Sequence, residues 1–242
     1  MRKDQILGEL RGQSPVISVG LLTADLLSLG SEVALMEAAG VRLLHFDVMD
    51  GRFCPMMTVG PPFIKAVRTP LLKDVHLMVE APSANIDGFV AAGAVMITVH
   101  AEAGRHVHRV LQAVGEAANA NDPDRPILRG LGLNPGTPLE VVCPLLDEIE
   151  MVFLLAVNPG WRGQKFIAAT ERRLAEVRRI TAAAGRDILI GVDGGVTKDN
   201  IGDVARMGAD IIVTGSAVFD GKSPLENARF MIAAARDAAG GS

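Results

Sequence analysis

Two histidines and two aspartates occur in contexts that suit chemistry better than packing. His45 and Asp47 stand two apart in His45-Phe46-Asp47-Val48-Met49-Asp50-Gly51. His76 lies in Asp74-Val75-His76-Leu77-Met78, and Asp193 in Gly191-Val192-Asp193-Gly194-Gly195. Alternate residues of an extended strand share a face, so His45, Asp47 and Met49 point one way while Phe46 and Val48 point the other. The same period puts His76 and Met78 on one face. Burying imidazole and carboxylate is costly unless they bond each other, an ion or a substrate. Two nitrogen and two oxygen donors make a set suited to one divalent ion, whether zinc, iron, manganese or cobalt. A hydrogen-bonded polar cluster without an ion is the plain alternative.

Two further features point to a small anionic ligand. Gly194-Gly195 and Thr214-Gly215-Ser216 each follow a β-rich run, where exposed backbone N–H groups can meet a phosphate. Bare tight turns would use the same glycines. The segment Asn158-Pro159-Gly160-Trp161-Arg162-Gly163-Gln164-Lys165-Phe166 holds the only tryptophan and is read as a lid, with an ordinary surface loop as the alternative.

Elements must hold these residues at one place. Short apolar runs at 15–20, 42–49, 73–78, 95–100, 128–133, 151–157, 187–193 and 210–214 alternate with longer amphipathic segments, as in repeated βα units. Leu26, Leu29, Val33 and Met36 before Gly40, and Leu174, Val177 and Ile180 before Gly185, have helical spacing with a glycine stop. Eight units predict a single-domain (β/α)8 TIM barrel over residues 1–242, with 1–13 as an N-terminal extension. A polar loop is expected at Asn119–Arg125 and fraying over the last five residues, Ala238 to Ser242. Active sites of such barrels lie at the C-terminal ends of the strands, where all the residues singled out above fall.

Composition narrows the partners. Lys plus Arg number 24 against 28 Asp plus Glu, a net charge of −4, so no basic excess favours nucleic acid. The two cysteines, Cys54 and Cys143, have neither metal-type nor disulfide-type spacing. No apolar run approaches the roughly 18 residues of a membrane span, and no export signal opens the chain. A cytoplasmic homo-oligomer without membrane or nucleic-acid partners is the expectation.

From Ile17 to Phe219 the sequence resembles the ribulose-phosphate 3-epimerase family. The resemblance rests on the three motifs above together with Thr98-Val99-His100-Ala101-Glu102, Asn134-Pro135-Gly136-Thr137-Pro138, Val157-Asn158-Pro159-Gly160, Gly163-Gln164-Lys165-Phe166 and Gly215-Ser216-Ala217. It implies that His45, Asp47, His76 and Asp193 ligate one divalent metal, and that Asp47 and Asp193 act as acid and base on opposite faces of a phosphorylated ketose. It also implies substrate or phosphate contacts at Gly160, Gly163, Gly194, Gly195, Gly215 and Ser216, and a site wall including Met49 and Met78. The implied reaction interconverts D-ribulose 5-phosphate and D-xylulose 5-phosphate through a 2,3-enediolate.

The sequence departs from the family at positions that line or cover the substrate. Gly20 stands where the family has a serine, and Ser18 lies one layer deeper on the same face. Leu155 replaces a methionine, Arg52-Phe53-Cys54-Pro55-Met56 differs from the usual loop, and Trp161-Arg162 replaces Phe-Gly. These departures keep open another ketose phosphate, such as D-allulose 6-phosphate or a tetrulose phosphate. A non-catalytic sugar-phosphate-binding paralogue is the alternative from another class. A lysine-dependent decarboxylase would need a strand-end lysine, and Lys73 and Lys165 fall elsewhere.

Overall fold

Eight parallel strands close on themselves in chain order: β1 (Val16–Gly20), β2 (Leu43–Met49), β3 (Leu72–Met78), β4 (Met96–His100), β5 (Leu128–Leu133), β6 (Met151–Leu155), β7 (Leu189–Asp193) and β8 (Ile211–Thr214). This is a computed structural model; it describes residues 3–117 and 126–240. The polar loop expected at 119–125 lies outside the described residues. The fold is the (β/α)8 barrel read from the sequence.

Six of the seven crossovers carry α-helices, α2 (Leu29–Ala39), α3 (Pro61–Ala66), α4 (Ile86–Ala91), α5 (Val107–Glu116), α6 (Ala169–Ala183) and α7 (Ile201–Arg206), and α8 (Pro224–Gly240) follows β8. Between β5 and β6 the chain instead forms a 3-10 segment, Leu139–Glu148, with Pro144 inside it. Proline removes an N–H and clashes with the preceding turn, so an α-helix there would break. Leu26 lies outside α2, because the Asp25 side chain accepts the Leu27 N–H at 3.0 Å and turns the chain first. Gly40 ends α2 at φ +82, a left-handed value that disfavours any side chain. At the C-terminus, α8 continues through Gly240, with Ala235 fully buried and Ala238 packed on the core, so Ala238–Gly240 are helical rather than frayed. Gly241 and Ser242 lie outside the described residues.

The alternation of each strand sorts side chains into two cores. Phe46, Val48, Val75 and Leu77 face outward to the helices, whereas Leu43, Leu72, Met96, Leu128, Met151, Leu189 and Ile211 fill the lower barrel. A helix that precedes the barrel, α1 (Lys3–Gly12), seals that lower end. Its Ile6, Leu7 and Leu10 join the inner cluster. Ion pairs tie it down: Lys3 Nζ to Glu150 at 2.9 Å, and Arg11 to Asp210 at 2.6 Å. Glu150, 1% exposed, also takes the Arg129 guanidinium at 2.7 Å and the Arg129 N–H at 2.9 Å.

The upper barrel is packed differently, with glycines where a neighbouring strand sends in a large side chain. A Cβ on Gly191 would lie 2.4 Å from the Phe153 ring, and one on Gly132 would lie 3.1 Å from the His100 ring. Polar side chains thus occupy the end where loops follow strands. Because α1 serves only the opposite end, Leu10→Ala should cost about 2–5 kcal/mol of stability through the cavity it leaves. Urea unfolding should show that loss, with turnover per folded molecule unchanged.

Candidate active site

The mouth of the barrel collects the four predicted residues. His45 and Asp47 come from β2, His76 from the neighbouring β3 and Asp193 from the end of β7. One donor atom from each lies within 4.8 Å of every other. Register brings this about, since Asp47 pairs with His76 across β2 and β3. His45 Nε2 is 3.2 Å and His76 Nδ1 is 3.3 Å from Asp47 Oδ1, and Asp193 Oδ2 is 4.0 Å from His76 Nδ1. Two nitrogens and two oxygens converging at this spacing can hold one metal ion. Phe153 forms the floor, its ring centroid 5.0 Å from that of His76 and 5.7 Å from that of His45.

Partners behind the cluster were not assigned from the sequence. His45 Nδ1 donates to Asp74 Oδ2 at 2.7 Å, and the Ser18 hydroxyl donates to the same oxygen at 3.2 Å. Ser18 is therefore a buried support of Asp74 and does not stand in for the serine missing at Gly20. His76 Nε2 lies 2.8 Å from His100 Nε2, and His100 Nδ1 lies 3.0 Å from Glu102 Oε2. Asp74 and Thr98, His100 share the inward phase of their strands, a signal that the alternation already carried.

The two carboxylates are electrostatically unlike. Burial disfavours charge on Asp47, but the His45 and His76 contacts outweigh it and hold its pKa well below the ordinary range. Asp193 lacks such donors, and burial together with the Asp47 charge pushes it up to about 7. Burial lowers His76 to about 4, against the hydrogen bond to Asp47. Burial also opposes charge on His45, yet Asp74 and Asp47 overcome it and raise its pKa well above the usual value. Two carboxyls of unlike proton affinity facing the same space are the asymmetry that acid–base chemistry on two faces uses.

Above the cluster opens a cavity of about 200 Å³. Met49, Met78, Leu155 and Gly20 all line it, as do Gly160, Gly194, Gly195, Gly215 and Ser216. Gly163 does not line it, and its φ of +73 is a left-handed value that favours glycine. Met56, in the loop expected to line or cover the substrate, joins Met49 and Met78 in the apolar wall. Gly20 has room for a side chain, since a Cβ there would sit 3.7 Å from Gly215 Cα at ordinary contact distance.

Gly194 and Gly195 have φ of +103 and +68, and a Cβ on them would strike Val157 or the Phe166 backbone, so packing demands glycine here as much as a ligand would. After β8, the N–H groups of Val218 and Phe219 close a turn on the Gly215 carbonyl at 2.9 Å. Ser216 and Ala217, at the start of that turn, have no acceptor within it. Lys73 is directed into the helix layer, where its Nζ donates to the carbonyls of Ile64 at 2.7 Å and Ala92 at 3.0 Å. Among the described residues, no lysine lines the cavity.

The segment read as a lid, 158–166, is tied together by one side chain. Gln164 accepts the Asn158 N–H at 3.0 Å and returns its amide N–H groups to the carbonyls of Asn158 at 2.5 Å and Trp161 at 2.8 Å. Trp161 is 60% exposed, and both it and Arg162 border the cavity.

A His and Asp cluster at the strand ends of a closed (β/α)8 barrel stands where barrel enzymes carry their active sites. Residues 16–219 match the model of the "Ribulose-phosphate 3 epimerase family". The chain belongs to the ribulose-phosphate 3-epimerase family. It is 42% identical over 206 residues to the ribulose-phosphate 3-epimerase of Bacillus subtilis (strain 168), covering 84% of this chain and 91% of that one. It is equally 42% identical over 210 residues to the ribulose-phosphate 3-epimerase of Escherichia coli (strain K12), covering 85% and 89%. Among solved structures, 3-hexulose-6-phosphate synthase from Salmonella typhimurium shares the fold with a TM-score of 0.64 at 20% identity, covering 92% of this chain and 99% of that one. Among the described residues, no helix is long and apolar enough to cross a membrane.

The raised pKa of Asp193 has a stability consequence in the metal-free protein. The carboxyl binds its proton more tightly folded than unfolded. Its contribution is therefore full below the ordinary carboxylate pKa and lost as pH rises through about 7. Asp193→Asn should thus gain in melting temperature relative to wild type between pH 5 and 8, measured by thermal melts in chelator.

Proposed function

We propose that the protein is a metal-dependent 3-epimerase that interconverts D-ribulose 5-phosphate and D-xylulose 5-phosphate. The observation that carries this reading is the pair Asp47 and Asp193, from strands that are not neighbours, meeting across one cavity with unlike proton affinities. Relatives named for ribulose phosphate at 42% identity favour the pentulose over a hexulose or tetrulose phosphate.

Epimerisation beside a ketone breaks the C3–H bond on one face and makes it again on the other. One aspartate takes the C3 proton, the electron pair moves into the C2–C3 bond and the carbonyl π pair onto the C2 oxygen, giving the enediolate. The other aspartate returns a proton to the opposite face of C3. Either carboxyl serves as base for one epimer and acid for the other. His45, Asp47, His76 and Asp193 would hold zinc, iron, manganese or cobalt, which supplies the positive charge that makes the enediolate accessible. Met49, Met56 and Met78 give the intermediate an apolar wall that keeps water away. Binding of the phosphate falls to the glycine turns after β7 and β8.

Arg162 adds a feature of this chain. Among the described residues lining the cavity, Asp47 and Asp193 are the acidic ones and Arg162 the basic one. The family commonly has glycine at this place, so the lid here brings a fixed charge to a dianionic substrate.

Proton–deuterium exchange at C3 of D-ribulose 5-phosphate, followed by NMR in deuterated water with added divalent metal, tests the reaction. Exchange with xylulose 5-phosphate formation is expected, and its absence with every metal would remove the reading. Asp193→Asn should lower turnover by about 10²–10⁴-fold, the usual contribution of a positioned acid or base. Arg162→Gly should raise KM for the phosphorylated substrate about tenfold while changing kcat little, as loss of one charge-assisted hydrogen bond predicts.

A further inference from the structure

We propose that Glu102 and His100 are positioning residues that decide which ring nitrogen His76 turns toward the metal cluster. The inference rests on reading that cluster as a metal site. His76 Nδ1 faces Asp47 Oδ1 at 3.3 Å, and its Nε2 lies 2.8 Å from His100 Nε2. Two ring nitrogens this close cannot both carry a proton, nor can both present lone pairs, so the proton between them sets both rings.

Glu102 breaks the tie. Its Oε1 receives the Asn134 N–H at 2.8 Å and the Thr137 hydroxyl, which fixes the carboxylate as an acceptor. Its Oε2 lies 3.0 Å from His100 Nδ1, so His100 carries its proton there. Neutral His100 then has a lone pair at Nε2, and His76 must donate from its own Nε2. The Nδ1 lone pair of His76 is left facing the other three donors. Both imidazoles are fully buried, with centroids 5.0 Å apart and planes 23° from parallel, so they meet edge to edge and water cannot substitute for either partner.

His45 reaches the same end by a shorter route, because its Nδ1 donates directly to Asp74 and leaves Nε2 for the cluster. The two histidines therefore face the ion through opposite ring nitrogens. Partners behind ligating histidines fix tautomer and ring orientation, and losing one typically costs 10–100-fold in metal affinity.

The test combines zinc affinity with proton location. Zinc titrated into metal-free wild type measures whether the cluster binds an ion at all, and failure there overturns the cluster reading and this inference together. Given binding, His100→Phe and Glu102→Ala should weaken it about 10–100-fold. Glu102→Gln, whose single amide oxygen can accept from His100 only by turning its NH2 toward the Asn134 N–H, should recover part of the Glu102→Ala loss. Melting of each metal-free variant verifies folding. In zinc-loaded wild type, long-range nitrogen–proton spectra should show the proton of His45 on Nδ1, that of His76 on Nε2 and that of His100 on Nδ1 alone. Zinc binding by wild type with a proton on His100 Nε2, or with undiminished affinity in folded His100→Phe and Glu102→Ala, overturns the assignment while leaving the metal site intact.

Discussion

An imidazole buried at the barrel mouth can offer only one nitrogen to the cavity, and the other must be satisfied from behind. Much of the upper barrel follows from that constraint. His45 leans on Asp74, which Ser18 supports from β1, and His76 leans on His100 and Glu102. Glu102 in turn is held by the loop after β5, and Arg173 of α6 ties that loop down through the carbonyls of Thr137 at 2.8 Å and Asn134 at 3.1 Å. The site is thus a set of donors whose orientations are fixed two or three bonds away, on several different strands.

Such a chain of rings needs width, and the barrel supplies it unevenly. Gly130 and Gly132 on β5 and Gly191 on β7 yield space to Thr98, His100 and Phe153 of the adjoining strands. Below this level the interior is aliphatic, closed by α1 and by the buried Glu150–Arg129 pair. Opposite demands are separated along one axis: dry packing at one end, and tolerance of polar groups and loops at the other.

The barrel was legible because its signals are local. Each strand is a short apolar run, and the observed bounds fall within two residues of those read from sequence. Where reading failed, a nonlocal or backbone cause is visible: the Asp25 turn excludes Leu26 from α2, and Pro144 replaces a helix by a 3-10 segment. At the site, the period of two was enough to bring out His45, Asp47, His76 and Asp193. It could not assign partners to Asp74, His100 or Glu102, because their contacts depend on the stagger between strands. Met56 was legible only through the family resemblance: a loop residue has no period, and its bridge region beside Met49 carries it to the cavity.

Gln164 gives the lid a property that its glycines alone would not suggest. One side chain binds Asn158 and Trp161 together, and at the base the Ile167 N–H donates to the Ala156 carbonyl at 2.8 Å. A segment knotted in this way is ordered before any ligand arrives. Capture then need not freeze the separate backbone torsions between Asn158 and Gln164, whose freedom was already lost on folding. Trp161 and Arg162 thus border the cavity at a fixed spacing.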